Sequence, residues 1–176
     1  MPELNNQNFN HLKIHTQYSI CEGAIKIDNL KDFCKEKKIP CLGLSDTSNL
    51  CGALEFAENI SKAGTQPIIG TQIYFKFEDT TGLLPLIALN ENGYKRIIEL
   101  SSRSYLENDA LSDPHLDIKE LLIDTQDVSL LSGTIQGLFG KLFEKGRLEE
   151  ISKLYRSLSS KFNDNFYLEI QRHGDQ

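Results

Sequence analysis

The stretch CLGLSDTSNLCGALEFAENISKAGTQPIIGTQIYF, residues 41–75, changes its apolar period twice. Cys41 to Leu44 is a short apolar run of strand length, directly after Pro40. Leu50, Ala53, Leu54, Ala57 and Ile60 then recur at helical spacing, in a stripe that Gly64 ends. Pro67 to Phe75 returns to β-branched and aromatic residues, the composition of a strand. Strand, helix and strand in so short a span predict an α/β domain.

The alternation continues outward on both sides. Upstream, Phe9 to His15 reads as a strand, and Asp28 is placed to cap a helix with Leu30, Phe33 and Cys34 on one face. Downstream, Gly82 to Leu89 is a fourth strand, and Asn90 caps a helix that buries Tyr94, Ile97, Ile98 and Ser101. A short helix starts at Asp117, and a strand follows at Val128 to Leu131. Leu148, Ile151, Tyr155, Leu158 and Phe162 mark a long late helix, and Phe166 to Ile170 is the last strand. The predicted sheet is mostly parallel, either open or closed as a barrel, with exposed loops at Asp79 to Thr81 and Glu107 to Asp113.

Composition narrows the function. With 176 residues, 39% of them hydrophobic and 25% charged, the chain suits one soluble domain, and its longest apolar runs fall far short of a membrane span. No signal peptide is visible, so a cytoplasmic location is expected. The net charge of −6 opposes strong binding to nucleic acid, and the one basic cluster, Lys35, Lys37 and Lys38 around Glu36, reads as a solvated helix end. Cys21, Cys34, Cys41 and Cys51 form no C-x-x-C pair, which argues against a cysteine zinc site. Cys34 and Cys41 read as small core residues.

In α/β folds polar residues at the carboxyl ends of strands form the site. Here those ends carry His15 with Glu22 behind it, Ser45-Asp46-Thr47, Ser132-Gly133-Thr134 and Gln171-Arg172-His173, and the third strand passes through Gln72. A metal hydrolase needs several imidazoles and carboxylates together, yet no H-x-H or D-x-H pair is present. Strand alternation puts Lys13 on the side of His15. A dication ~4 Å from its ammonium would be repelled by ~8 kcal/mol at an effective dielectric of ~20. The expectation is that Lys13 pairs with Glu22 or Asp46 and takes a cation's place. Other readings stay open: His15 as a structural strand-end residue, Asp46 as a cap for the helix near Leu50, and Glu22-Gly23 as a plain turn. His115 reads as a loop residue, and neither a phosphate loop nor a nucleophile elbow is present.

These residues carry a family likeness. The segment His11-Leu12-Lys13-Ile14-His15-Thr16-Gln17-Tyr18-Ser19 resembles the opening motif of the PHP (polymerase and histidinol phosphatase) domain, in the version found in bacterial replicative polymerases. The resemblance runs on through residues 22–26, 43–53 and 67–74, then Asn90 to Tyr94, Leu131-Ser132-Gly133 and Glu169 to Gly174. It implies a distorted, TIM-like β/α barrel of seven strands whose strand ends hold metal ions. Position by position it also implies that the metal cleft has decayed. Lys13 stands where the first histidine would be, Thr47 where a histidine follows Asp46, Gln72 where a carboxylate belongs and Thr134 where a cysteine belongs. The strand near Leu83 lacks its expected histidine, while His15, Glu22, Asp46 and His173 keep family character.

The resemblance therefore implies no catalytic or metal-ligating residue. It implies instead a scaffold within the replicative polymerase that docks the proofreading exonuclease or other subunits, with DNA reached only through the parent enzyme. The alternative is an active phosphoesterase or 3′–5′ exonuclease using zinc or manganese. The chain, one domain over 1–176, is expected to be a fragment lacking the last part of the barrel and the polymerase core.

Overall fold

A computed structural model describes residues 9–109 and 111–170. The central stretch builds the middle of a sheet. β1 (His11–Ile14), β2 (Cys41–Thr47) and β3 (Gln66–Phe77) lie side by side in parallel, joined through α1 (Ile27–Lys37) and α2 (Ala53–Lys62). β3 then turns through Glu78, in the left-handed region at φ 53°, into β4 (Thr80–Ala88). β4 runs antiparallel to β3 and also to β6 (Val128–Leu131), while β6 pairs in parallel with β7 (Phe166–Tyr167). β5 (Leu116–Asp117) adds two residues to β3 beyond the end of β2.

The order in the seven-stranded sheet is β1-β2-β3-β4-β6-β7. The sheet curls into a half-barrel, and β1 and β7 end its hydrogen-bonded path. α3 (Glu91–Leu106), α4 (Ile118–Ile123), α5 (Leu138–Glu144) and α6 (Leu148–Phe162) complete the order. The fold is mixed α/β, and the mostly parallel expectation needs one correction. The short turn at Glu78 leaves no length for a crossover, so β4 must reverse.

Packing explains which sequence patterns hold. One core cluster joins α1, α2 and β2 through Ile27, Leu30, Cys34, Leu44, Phe56 and Ile60. The other gathers β3, β4 and β6 against the later helices through residues such as Phe75, Leu86, Leu100, Leu130 and Leu158. Leu50 packs against both. Gly43 lets β1 approach β2, since a Cβ there would lie 2.4 Å from the Leu12 carbonyl oxygen.

Several helix faces are rotated from expectation. In α1 the stripe is Ile27, Leu30 and Cys34, with Phe33 exposed. In α2 it is Ala53, Phe56 and Ile60, with Leu54 exposed. In α3 Ile97 is buried with Gly93, Arg96, Leu100 and Ser104, not with Ile98. α6 keeps Leu158 and Phe162 inside beside Leu154, while Tyr155 stays partly exposed.

The caps divide in the same way. Asn90 accepts from the amides of Asn92 and Gly93, and Asp117 from that of Lys119, as their positions imply. Asp28 does not cap α1. The helix begins one residue earlier, and the Gln17 side chain accepts from the Ile27 amide at 3.0 Å instead. Thr80, expected in an exposed loop, is buried at the start of β4. All four cysteines are free, with Cys34 buried and Cys41 half-buried. No helix among the described residues is long and apolar enough to cross a membrane.

Candidate functional site

The carboxyl ends of β1 and β6 meet the middle of β3 and β4 around a cleft of about 480 Å³. Lys13, His15, Glu22, Gln72 and Thr134 line it, as does Glu169. Leu83, mid-strand in β4 and paired with Tyr74 of β3, lies in the same cleft. The loop Gly133 to Gly137 forms another wall.

Lys13 reaches the cleft from β1, but neither Glu22 nor Asp46 is its partner. Its Nζ lies 3.0 Å from Oε1 and 3.2 Å from Oε2 of Glu169. The expected pairing fails because both of those carboxylates are engaged by neutral donors.

Asp46 is fully buried. Its Oδ1 accepts from the Thr16 amide at 2.6 Å and the Ser19 hydroxyl at 2.7 Å, and its Oδ2 from the Thr16 hydroxyl at 2.7 Å. The residue therefore anchors the turn after β1 and leaves the helix alone. α2 has no side-chain cap, and Asn49 accepts from the Cys51 amide ahead of it.

Glu22 belongs to a tight turn in which Ser19 O accepts from its amide and from that of Gly23. Gly23 is needed there, because a Cβ would stand 1.9 Å from the Thr16 carbonyl oxygen. The turn reading is correct, and the same turn sends Glu22 into the cleft. There the Thr47 hydroxyl donates to Glu22 and accepts from the Gln72 amide at 2.7 Å. The Thr47 hydroxyl, accepting from one and donating to the other, thus bridges the Gln72 side-chain amide and the Glu22 carboxylate. Thr134 closes its own turn, its Oγ1 accepting from the Gln136 amide at 3.3 Å.

His15 holds a lowered pKa. Burial disfavours the imidazolium first and the Lys13 ammonium second, while Glu22, Asp46 and Glu169 pull the other way. Its Nδ1 is buried with no hydrogen-bond partner among the described residues. His11, on the same strand, is exposed and stacks edge-on against Phe9. His115 sits in a loop with Nδ1 2.8 Å from the Asp113 carbonyl oxygen. His173, with Gln171 and Arg172, lies outside the described residues.

Among the described residues, no three or more His, Cys, Asp or Glu side chains come together as a metal-binding group. The structure thus collects Lys13, His15, Glu22, Gln72 and Thr134 in one cleft and draws Thr47 into its hydrogen bonds. Asp46 stands behind them as an anchor. Glu169 is the site residue that the strand-end reading passed over. β7 ends at Tyr167, so the polar residue after the strand is Glu169, earlier than Gln171.

The PHP domain family matches this chain over residues 11–173. A DNA polymerase III subunit alpha from Caulobacter vibrioides is 36% identical over 187 residues, covering 99% of this chain and 16% of that protein. Another from Rickettsia felis is 35% identical over 167 residues, covering 94% and 14%. The chain thus spans about one-sixth or less of the length of these curated relatives. Among solved structures, an amidohydrolase from Chromobacterium violaceum aligns with a TM-score of 0.42 at 13% identity, over 84% of this chain and 54% of that one.

Proposed function

We propose that this chain, which belongs to the PHP domain family, serves as the PHP domain of a cytoplasmic replicative DNA polymerase and acts there as a non-catalytic scaffold. The polymerase context rests on the relatives named DNA polymerase III subunit alpha. On this reading the domain docks other subunits of the polymerase assembly, the proofreading exonuclease first among them. It meets DNA only through the rest of the parent enzyme.

One observation carries the non-catalytic reading, namely the donor set of the cleft. Zinc-like ions favour imidazole, thiolate and carboxylate ligands. Beside His15, Glu22 and a Glu169 already paired with Lys13, the cleft offers an ammonium at Lys13, an amide at Gln72 and hydroxyls at Thr47 and Thr134. Asp46 has already spent both oxygens on Thr16 and Ser19. These residues do not fit the ion cluster that the family resemblance implies.

Two measurements test the proposal. Purified protein analysed for zinc and manganese is expected to carry neither stoichiometrically, and to leave phosphoesters intact when either metal is added. Stoichiometric metal with hydrolysis that disappears in His15→Ala would establish the phosphoesterase alternative instead. Co-elution with the proofreading exonuclease subunit of the same organism on size-exclusion chromatography tests the docking role. Separate elution at micromolar concentrations of both would overturn it.

A further inference from the structure

We infer that Lys13 and Glu169 form a latch that ties the two ends of the curled sheet together across the cleft, with the Lys13 ammonium as the cleft's built-in cation. β1 and β7 are the two ends of the hydrogen-bonded strand order. Lys13 belongs to the first, and Glu169 lies just beyond the second. Their side chains meet at 3.0 Å although 156 positions separate them in the chain. Local chain geometry cannot produce such a contact; only the curl of the sheet can.

Shelter makes the pair consequential. Exposed ion pairs are screened and contribute little. Here the Lys13 side chain is 17% exposed and that of Glu169 15%. The backbone that carries the carboxylate is also held. The Glu169 amide donates to the Ser132 hydroxyl at 2.9 Å, and the Ser132 amide donates to the Tyr167 carbonyl at 2.9 Å. Ser132 thus fastens the chain on both sides of Leu168 to the end of β6. On the other side, β1 is paired to β2. Spreading the cleft must pull one fastened edge from the other and separate two sheltered charges.

His15 supplies an internal reporter, since Lys13 lowers its pKa and Glu169 raises it. If the latch forms, removing the ammonium moves the imidazole pKa up, and removing the carboxylate moves it down. A residue that merely filled space would shift it in neither sense.

The test uses the whole chain in solution. In the wild type, the Lys13 ammonium is expected to give a slowly exchanging ¹⁵N resonance that disappears in Glu169→Gln. Amide exchange at Ser132 and Glu169 is expected to accelerate about tenfold or more in Lys13→Met and in Glu169→Gln. The exchanged pair, Lys13→Glu with Glu169→Lys, should recover most of that protection. The His15 pKa should rise in Lys13→Met and fall in Glu169→Gln. Should a single variant fail to fold, the wild-type ammonium resonance decides alone, and one that averages with the free lysines overturns the latch. Single variants that exchange like the wild type overturn it too. The latch does not depend on a docking partner, so loss of subunit binding leaves it standing, and metal-dependent hydrolysis would sink the scaffold reading alone.

Discussion

Thr16 holds Asp46 by both carboxylate oxygens, its backbone amide on one at 2.6 Å and its own hydroxyl on the other at 2.7 Å. With the Ser19 hydroxyl added, a fully buried charge is satisfied by neutral donors from one short turn. An aspartate at a strand end is the residue type that metal chemistry uses. Here the same carboxylate folds the loop that delivers Glu22 to the cleft.

Asp46→Ala should therefore cost stability heavily. Hydrogen bonds to a charged group are each worth ~1.5–3 kcal/mol, so a loss of about 3 kcal/mol or more is expected. Thr16→Val keeps the amide contact, loses one such bond and should cost about 1.5–3 kcal/mol, less than Asp46→Ala. Urea unfolding of both variants measures the difference. Equal losses would show that the hydroxyl and the carboxylate are not separately at work.

The α2 face provides a paired test of packing. Phe56 is fully buried, and Phe56→Ala should cost about 3–5 kcal/mol. Leu54 lies on another side of the helix at 72% exposure, and Leu54→Ala should stay within about 0.5 kcal/mol of the wild type. Thermal or urea midpoints check both. A large effect at Leu54 would place the stripe on the wrong side of the helix.

His15 predicts a pH dependence of definite sign. Its folded pKa lies below the ordinary 6.5, so at intermediate pH the unfolded chain binds the proton more readily. Its contribution to stability is complete above 6.5 and is lost as pH falls through the folded value. His15→Gln should remove that portion of the acid-side slope. Unfolding free energies measured from pH 7.5 down to pH 5 read it directly.

Asp79 titrates at the other extreme. The Arg147 guanidinium hydrogen-bonds its carboxylate and holds the pKa at about 2, against an ordinary 3.8. The benefit of that pair is present above the ordinary value and fades as pH falls through about 2. Asp79 is exposed and Arg147 only half-buried, so the effect on stability should be small. Carboxyl NMR is the better probe, and Arg147→Ala should return Asp79 to the ordinary range.

Much of the architecture is legible in local patterns. Val128 to Leu131 is a strand with the expected bounds, and Asn90 and Asp117 cap the helices that their positions announce. Such features depend on neighbours within a turn or two. The buried face of a helix is not legible in the same way. Leu54 and Phe33 fit an apolar stripe by spacing, but a face is buried only where another element covers it. α5 and β5 are too short to show a period.

By itself the sequence determined the alternation of strands and helices, the polar residues at the strand ends and the kinship with PHP domains. It determined these because period, capping and motif spacing are properties of near neighbours. Only the tertiary structure decided that β4 reverses, that Asp46 serves the loop after β1 and that Glu169 meets Lys13. Those facts depend on which distant donor reaches a charge first, and in a curled sheet that is set by how the strands are ordered in space.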